Sequence, residues 1–164
     1  MDDLRSRISA EIPHLRRYAR SLVADADEAD DLVQECLERA LSRGKLWDPN
    51  KSTRSWLFRI MHNTFVSSLR KRKRHNELHR RYPVEDKIQA GYEHHCELDM
   101  VQRAVKRLPP DQRDVILLIA VSGLSYEETS ETLSVPVGTL RSRLCRAREG
   151  LRALMASPPP VGRF

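Results

Sequence analysis

Apolar residues return at three- and four-residue steps along most of the chain, the period of a helix with one buried face. Between Asp25 and Arg43, Ala26, Ala29, Val33, Cys36, Leu37 and Ala40 form one such stripe. A sparser stripe through Ile8, Ile12, Leu15 and Ala19 predicts a helix from Leu4 to Leu22, with Pro13 either early in it or kinking it. Gly44, Asp48-Pro49-Asn50 and Ser52 break the pattern, so Gly44 to Thr53 reads as a loop. A third helix then places Trp56, Leu57, Ile60, Met61, Thr64, Phe65 and Ser68 on its inner face and runs into Arg70-Lys71-Arg72-Lys73-Arg74. Three helices make one small domain over residues 1–74.

Residues 75–96 lose the apolar period, contain Pro83 and Gly91 and mix charges of both signs, which reads as a flexible linker. Beyond it, Val101, Val105 and Leu108 share a helix stopped by Pro109-Pro110. A helix from Asp111, with Val115, Leu118 and Ile119, closes at Gly123. Ser125 with Glu128 is a capping box, each side chain placed to satisfy an orphan amide of a short helix that ends near Leu133. After the break at Ser134-Val135-Pro136, a last helix carries Leu140, Leu144, Ala147, Leu151 and Leu154 on one face. Residues 97–156 are thus a second helical domain, and 157–164 a Pro-rich tail. The fold class is all-α: two small helical domains joined by a flexible linker.

The short capped helix, tight turn and longer Arg-rich helix form a helix-turn-helix, whose second helix can enter a DNA major groove. At about 100° per residue, Ser142, Cys145, Arg146 and Glu149 point away from the apolar face, with Arg141 and Arg152 at the margin and Arg143 and Arg148 flanking. Arg pairs bidentately with guanine, Ser gives or accepts one bond, and a small apolar Cys can meet a thymine methyl.

Charge strengthens this picture because it is segregated. The 164 residues hold 29 Lys and Arg against 23 Asp and Glu, a net charge of +6. Residues 51–75 carry eight basic groups and no acidic one, and the C-terminal part is basic again. Two basic blocks separated by an acidic spacer suit two polyanion-facing surfaces. On the helix from Trp56, the side away from the apolar face holds Arg59, His62, Asn63, Val66 and Arg70, with Lys71 and Arg72 beyond. Aromatic planes beside such a groove can hold unstacked bases. Trp56 and Phe65 lie toward the packed face, which makes Trp47 and Phe58 the better stacking candidates.

One helix is the opposite: Asp25 to Glu38 holds seven carboxylates and no Lys or Arg. Asp27, Glu28, Asp31, Gln34, Glu35 and Glu38 oppose its apolar stripe. That face would repel DNA and suits a basic protein surface. Composition excludes several other classes. Aromatics are 5% and charged residues 32%, which argues for a small aliphatic core and against a large buried enzyme pocket. No Gly-rich phosphate loop, HExxH, nucleophile elbow or paired-carboxylate setting is present, so no enzyme activity and no cofactor is expected. The most apolar stretch, Val115 to Val121, is far short of a membrane span, and Asp2 and Asp3 open the chain where a secretory signal would be basic. A cytoplasmic protein with reduced thiols follows. Cys36, Cys96 and Cys145 fit neither a disulfide framework nor a CxxC metal site, so no metal is expected. His94-His95-Cys96 offers ligands at irregular spacing, and an outward Cys145 raises an oxidant-sensing alternative.

With these surfaces in order, the chain resembles the extracytoplasmic-function sigma factors of bacterial RNA polymerase. Asp27-Glu28-Ala29-Asp30-Asp31-Leu32-Val33-Gln34-Glu35 is similar to the segment of region 2 that docks on the polymerase largest subunit. Ser55-Trp56-Leu57-Phe58-Arg59-Ile60-Met61-His62-Asn63 is similar to the segment that melts the promoter and reads its −10 element. Leu108-Pro109-Pro110-Asp111-Gln112-Arg113, Gly123 to Glu128, and Pro136 to Leu144 are similar to region 4, which reads the −35 element. Ser67 departs from the family pattern, which has Asp at that place.

The resemblance implies a specificity subunit for core polymerase, touching the largest and second-largest subunits, monomeric when free and controlled by an anti-sigma factor. It implies polymerase contacts at Asp27, Asp30, Asp31, Leu32, Gln34 and Glu35. It implies −10 contacts at Trp47, Trp56, Phe58, Arg59, His62, Asn63, Arg70, Lys71 and Arg72, with the loop Gly44 to Thr53 as the pocket for an extruded base. The −35 contacts are Thr139, Arg141, Ser142, Arg143, Cys145, Arg146 and Arg148. A stand-alone helix-turn-helix regulator is the alternative; it leaves the acidic helix and the basic aromatic segment without a role.

Overall fold

The computed structural model describes residues 2–23, 25–79 and 97–156, and among them every regular element is helical. The elements are α1 (Asp2–Leu22), α2 (Ala26–Ser42), a single 3-10 turn (Gly44–Leu46), α3 (Thr53–His79), α4 (Glu97–Arg107), α5 (Pro110–Ala120), α6 (Tyr126–Leu133) and α7 (Val137–Ala156). Helix α1 continues through Pro13. None of these helices is long and apolar enough to cross a membrane.

Local chemistry sets the helix ends. Asp25 caps α2, its extended backbone placing Oδ1 2.8 Å from the Glu28 amide that donates to it. Asp27 and Glu28 then lie in the first turn, favourably disposed to the helix dipole. At α5, Pro110 occupies the first turn, where its missing N–H is no loss. Past the end of α5, Gly123 adopts φ +67°, so the chain doubles back and the Gly123 amide donates to Ile119 O while Leu124 donates to Leu118 O. The capping box of α6 is complete: Glu128 N donates to Ser125 Oγ at 3.1 Å and Ser125 N to Glu128 Oε2 at 2.9 Å.

Helices α1, α2 and α3 pack mutually, and α7 packs on α4, α5 and α6. The α2 stripe is buried through Ala29, Leu32, Val33, Cys36 and Ala40, and the α7 stripe through Leu140, Leu144 and Ala147. The two bundles also touch. Leu117, Leu118 and Leu124 enter the same apolar cluster as Leu15, Tyr18, Leu57, Phe58 and Met61. Helix α3 therefore meets α2, α1 and α6 at once. It also runs on to His79, past the expected domain edge at residue 74. The remainder of the expected linker, with His94, His95 and Cys96, and the Pro-rich tail lie outside the described residues.

Candidate functional site

Three surfaces emerge, each raised on one helix. On α2, Asp27, Asp30, Asp31, Gln34 and Glu35 are exposed, because the buried stripe fixes their side of the helix outward. Part of this acid is answered within the chain. Arg16 Nε lies 3.9 Å from Asp30, Arg39 Nη2 lies 2.5 Å from Glu35, and Arg72 pairs with Glu28. Asp27 and Asp31 are placed outward on the same face. Leu32 departs from expectation: it is 7% exposed and belongs to the core, so it sets the position of the acidic face and does not offer itself to a partner.

The α3 surface is the one that differs most from its helical wheel. Arg59, Asn63, Arg70, Lys71 and Arg72 are exposed, and Trp56 is half-buried against the apolar cluster. Phe58, expected to stack on bases, has no exposed surface; its ring meets the edge of Tyr18 at a centroid distance of 5.2 Å and 64°. His62, placed outward by its wheel, is also buried, with Nε2 4.0 Å from Asp114 Oδ2 on α5. Both corrections have one physical cause. The residues Arg54, Phe58 and His62 follow at four-residue steps, and that row faces α1 and the second bundle, a direction a single-helix pattern does not contain. Burial holds His62 below its ordinary pKa of 6.5, with Asp114 pulling the other way; burial raises Asp114 in turn.

Trp47 stands in the loop before α3, half-buried, its Nε1 donating to Thr53 Oγ1 at 3.2 Å. The Arg7 guanidinium lies over the ring at 5.4 Å, and its Nη1 reaches Pro49 O at 3.4 Å. Arg7 was not among the sequence candidates. No local pattern could have found it, since 40 residues separate it from the ring it covers.

On α7, Thr139, Arg141, Ser142, Cys145, Arg146 and Arg148 are all exposed. Arg141 lies over the Tyr126 ring at 5.9 Å, so the first residue of α6 supports the second helix's outer row. These two residues border an open cleft of about 380 Å³ with Cys145, Arg148 and Arg152. Arg143 is half-buried and paired with Asp111 at 3.4 Å, which aims it to the flank. The arrangement can lay base-reading groups in a groove between cationic edges. Among the described residues no group of three His, Cys, Asp or Glu side chains is placed to hold a metal ion.

Comparison with known proteins adds family matches on both bundles. Residues 8–62 match the Sigma2 domain of PhyR, and residues 98–151 match Sigma-70, region 4. The chain is 43% identical over 155 residues to the ECF RNA polymerase sigma factor EcfG of Rhodopseudomonas palustris, covering 94% of this chain and 86% of that one. It is 34% identical over 143 residues to SigM of Mycobacterium tuberculosis, covering 86% and 71%. Among solved structures, the sigma factor RpoE in complex with the anti-sigma factor NepR from Bartonella quintana matches with a TM-score of 0.82 at 32% identity, covering 97% of this chain and all of that one. CnrH, solved with the cytosolic domain of CnrY, matches at 0.71 and 26% identity, covering 95% and 89%.

Proposed function

The chain belongs to the extracytoplasmic-function sigma factors of bacterial RNA polymerase, and from that premise we propose how its three surfaces divide the work of starting transcription. The protein binds core polymerase and directs promoter-specific initiation; it supplies specificity and no bond-making chemistry of its own, and it works in the cytoplasm. The carboxylates Asp27, Asp30, Asp31 and Glu35, with Gln34, dock on a basic polymerase surface, complementary charge speeding and orienting the encounter. Arg59, Asn63, Arg70, Lys71 and Arg72 hold the melted −10 strand. Trp47, steadied by Thr53 and covered by Arg7, forms one wall of the pocket for an extruded base. Helix α7 enters the −35 major groove.

The observation that carries this reading is the exposed row of α7, where Thr139, Ser142, Cys145 and Arg146 stand clear of the packed face and Arg143 and Arg148 flank them. Solved relatives bound to NepR and to CnrY support an anti-sigma partner for this chain too. Joining two weak readers through one chain makes the second contact intramolecular, so initiation depends on promoter spacing. Run-off transcription with purified core polymerase tests the whole: the chain should direct initiation from a subset of promoters and lose activity when the spacer length changes. Failure to bind core polymerase, or indifference to spacing, would overturn it.

A further inference from the structure

The loop that carries Trp47 is held by a helix far from it in sequence. Its own bonds are short-range: Trp47 N donates to Gly44 O at 3.2 Å, Lys51 N to Asp48 O at 3.1 Å, and Asn50 N to Asp48 Oδ1 at 2.9 Å. Bonds of that reach shape a turn without fixing where the loop sits. Thr53, buried at the start of α3, pins one edge of the indole through Nε1. The face of the ring is held from the opening turns of α1. Leu4 packs so closely on the 3-10 turn that a Cβ on Gly44 would lie 3.2 Å from Leu4 Cδ2. One turn further along α1, the Arg7 guanidinium lies over Trp47, 5.4 Å from the ring centre, and Arg7 Nη1 donates to Pro49 O at 3.4 Å. Arg7 is aimed in its turn by Asp3, whose Oδ1 accepts from Arg7 Nε at 3.1 Å.

We infer that Arg7 is a positioning residue for the extruded base: oriented by Asp3, it closes one face of the Trp47 ring and ties the loop to α1 through Pro49, so that a base can stack only on the other face. This rests on the assignment of Trp47 as a wall of the base pocket, and it adds α1 to a site otherwise built from one loop and α3. The contacts of Arg7 favour positioning over a grip on the strand. The Asp3 carboxylate beside it offsets the charge that a phosphate would seek. Its guanidinium is already engaged by the ring face and a backbone carbonyl. A ring ordered before the base arrives loses less freedom when the base stacks, and such preorganisation raises affinity without any added contact. A cation over an indole at an exposed site is a modest interaction, so base capture should weaken without Arg7 and not vanish.

The test uses the full-length chain assembled with core polymerase, and the single non-template strand of a promoter that the wild-type holoenzyme transcribes. An abasic site is placed at each −10 nucleotide in turn, and the pocket position is the one whose loss no longer matters in Trp47→Ala. There, the affinity for the intact strand divided by that for the abasic strand isolates base capture. In Arg7→Ala this ratio should fall roughly two- to fivefold, the factor a cation–π contact at an exposed site supplies, while the abasic strand binds as it does to wild type. Labelling with 5-fluorotryptophan gives one fluorine line for each of the two tryptophans. In the free chain the Trp47 line, assigned by its absence from Trp47→Phe, should shift in Arg7→Ala while the Trp56 line stays in place. Equal loss on the intact and abasic strands would make Arg7 a backbone contact and overturn the inference, as would an unchanged ratio. A fallen ratio with the Trp47 line unmoved would overturn it too, because Arg7 would then meet the base itself. If no abasic position loses its effect in Trp47→Ala, the reading of Trp47 as a pocket wall fails, and the inference fails with it.

Discussion

Replacing Phe58 separates a core residue from a strand contact. Its ring has no exposed surface and meets Tyr18 edge-on at 5.2 Å, within the apolar cluster shared by α1, α3 and the second bundle. Truncating a buried Phe to Ala destabilises by about 3–5 kcal/mol, through lost transfer energy and an unfilled cavity. Roughly 0.5–1.5 kcal/mol of that reflects the paired rings. For a chain of this size the loss corresponds to a fall in Tm on the order of 10 °C. Asn63 is exposed on the same helix, so Asn63→Ala should change stability by no more than about 0.5 kcal/mol yet weaken binding to the single −10 strand. Urea unfolding followed by circular dichroism gives the first quantity, and filter retention of the labelled strand gives the second. If Phe58→Ala unfolded at the wild-type urea concentration while losing the strand, the ring would be a base-stacking platform and its burial here would be the wrong account.

Other consequences can be checked on the same footing. Ser125→Ala removes the side chain that accepts from Glu128 N and should destabilise α6 by about 1 kcal/mol, lowering −35 duplex affinity because α6 props Arg141 through Tyr126; equal stability by thermal melting would refute it. Arg146→Ala should lose roughly 1–3 kcal/mol of discrimination at one base pair, whereas Arg143→Ala should weaken binding evenly across sequences and shrink the salt slope; competition with single-base promoter variants distinguishes them. His62 takes up a proton less readily in the folded chain than in the unfolded one, so the stability that depends on burying it neutral is complete above its ordinary 6.5 and drains away as pH falls below that value. In Asp114→Asn the attraction that opposes burial is gone, and the His62 midpoint followed by NMR should drop further; a rise would contradict the assigned cause.

Much of the fold was written in local pattern, and the exceptions share a reason. Helices α2 and α7 each bury one stripe, so their three- and four-residue spacing was sufficient to orient Asp27, Asp31, Arg146 and Cys145 outward. The Ser125–Glu128 cap was readable because every atom it uses lies within four residues. Helix α3 packs against α1, α2 and α6, and a helix gripped from several sides has no single polar face to read. A single-helix wheel therefore turns Phe58 and His62 outward, where the packed helix buries both. Leu32 stands within the acidic motif, and a motif does not distinguish an exposed position from the buried one that aims it. Arg7 over Trp47 and Asp114 against His62 depend on chain segments far apart in sequence, and only the assembled bundles bring them together.

The two described cysteines sit in opposite surroundings. Cys36 is sealed inside α2's buried stripe with Sγ 3.6 Å from Leu57 O, and burial pushes its thiol up to about 12. Cys145 is exposed on α7, within 3.7 Å of Glu149 Oε1. A maleimide added to the native fold of a chain whose Cys96 has been exchanged for serine should therefore alkylate α7 and spare the interior. On the proposed assignment of α7, a bulky adduct there keeps that helix out of the groove, giving a one-step chemical knockout in which holoenzyme assembly persists and upstream anchoring is lost.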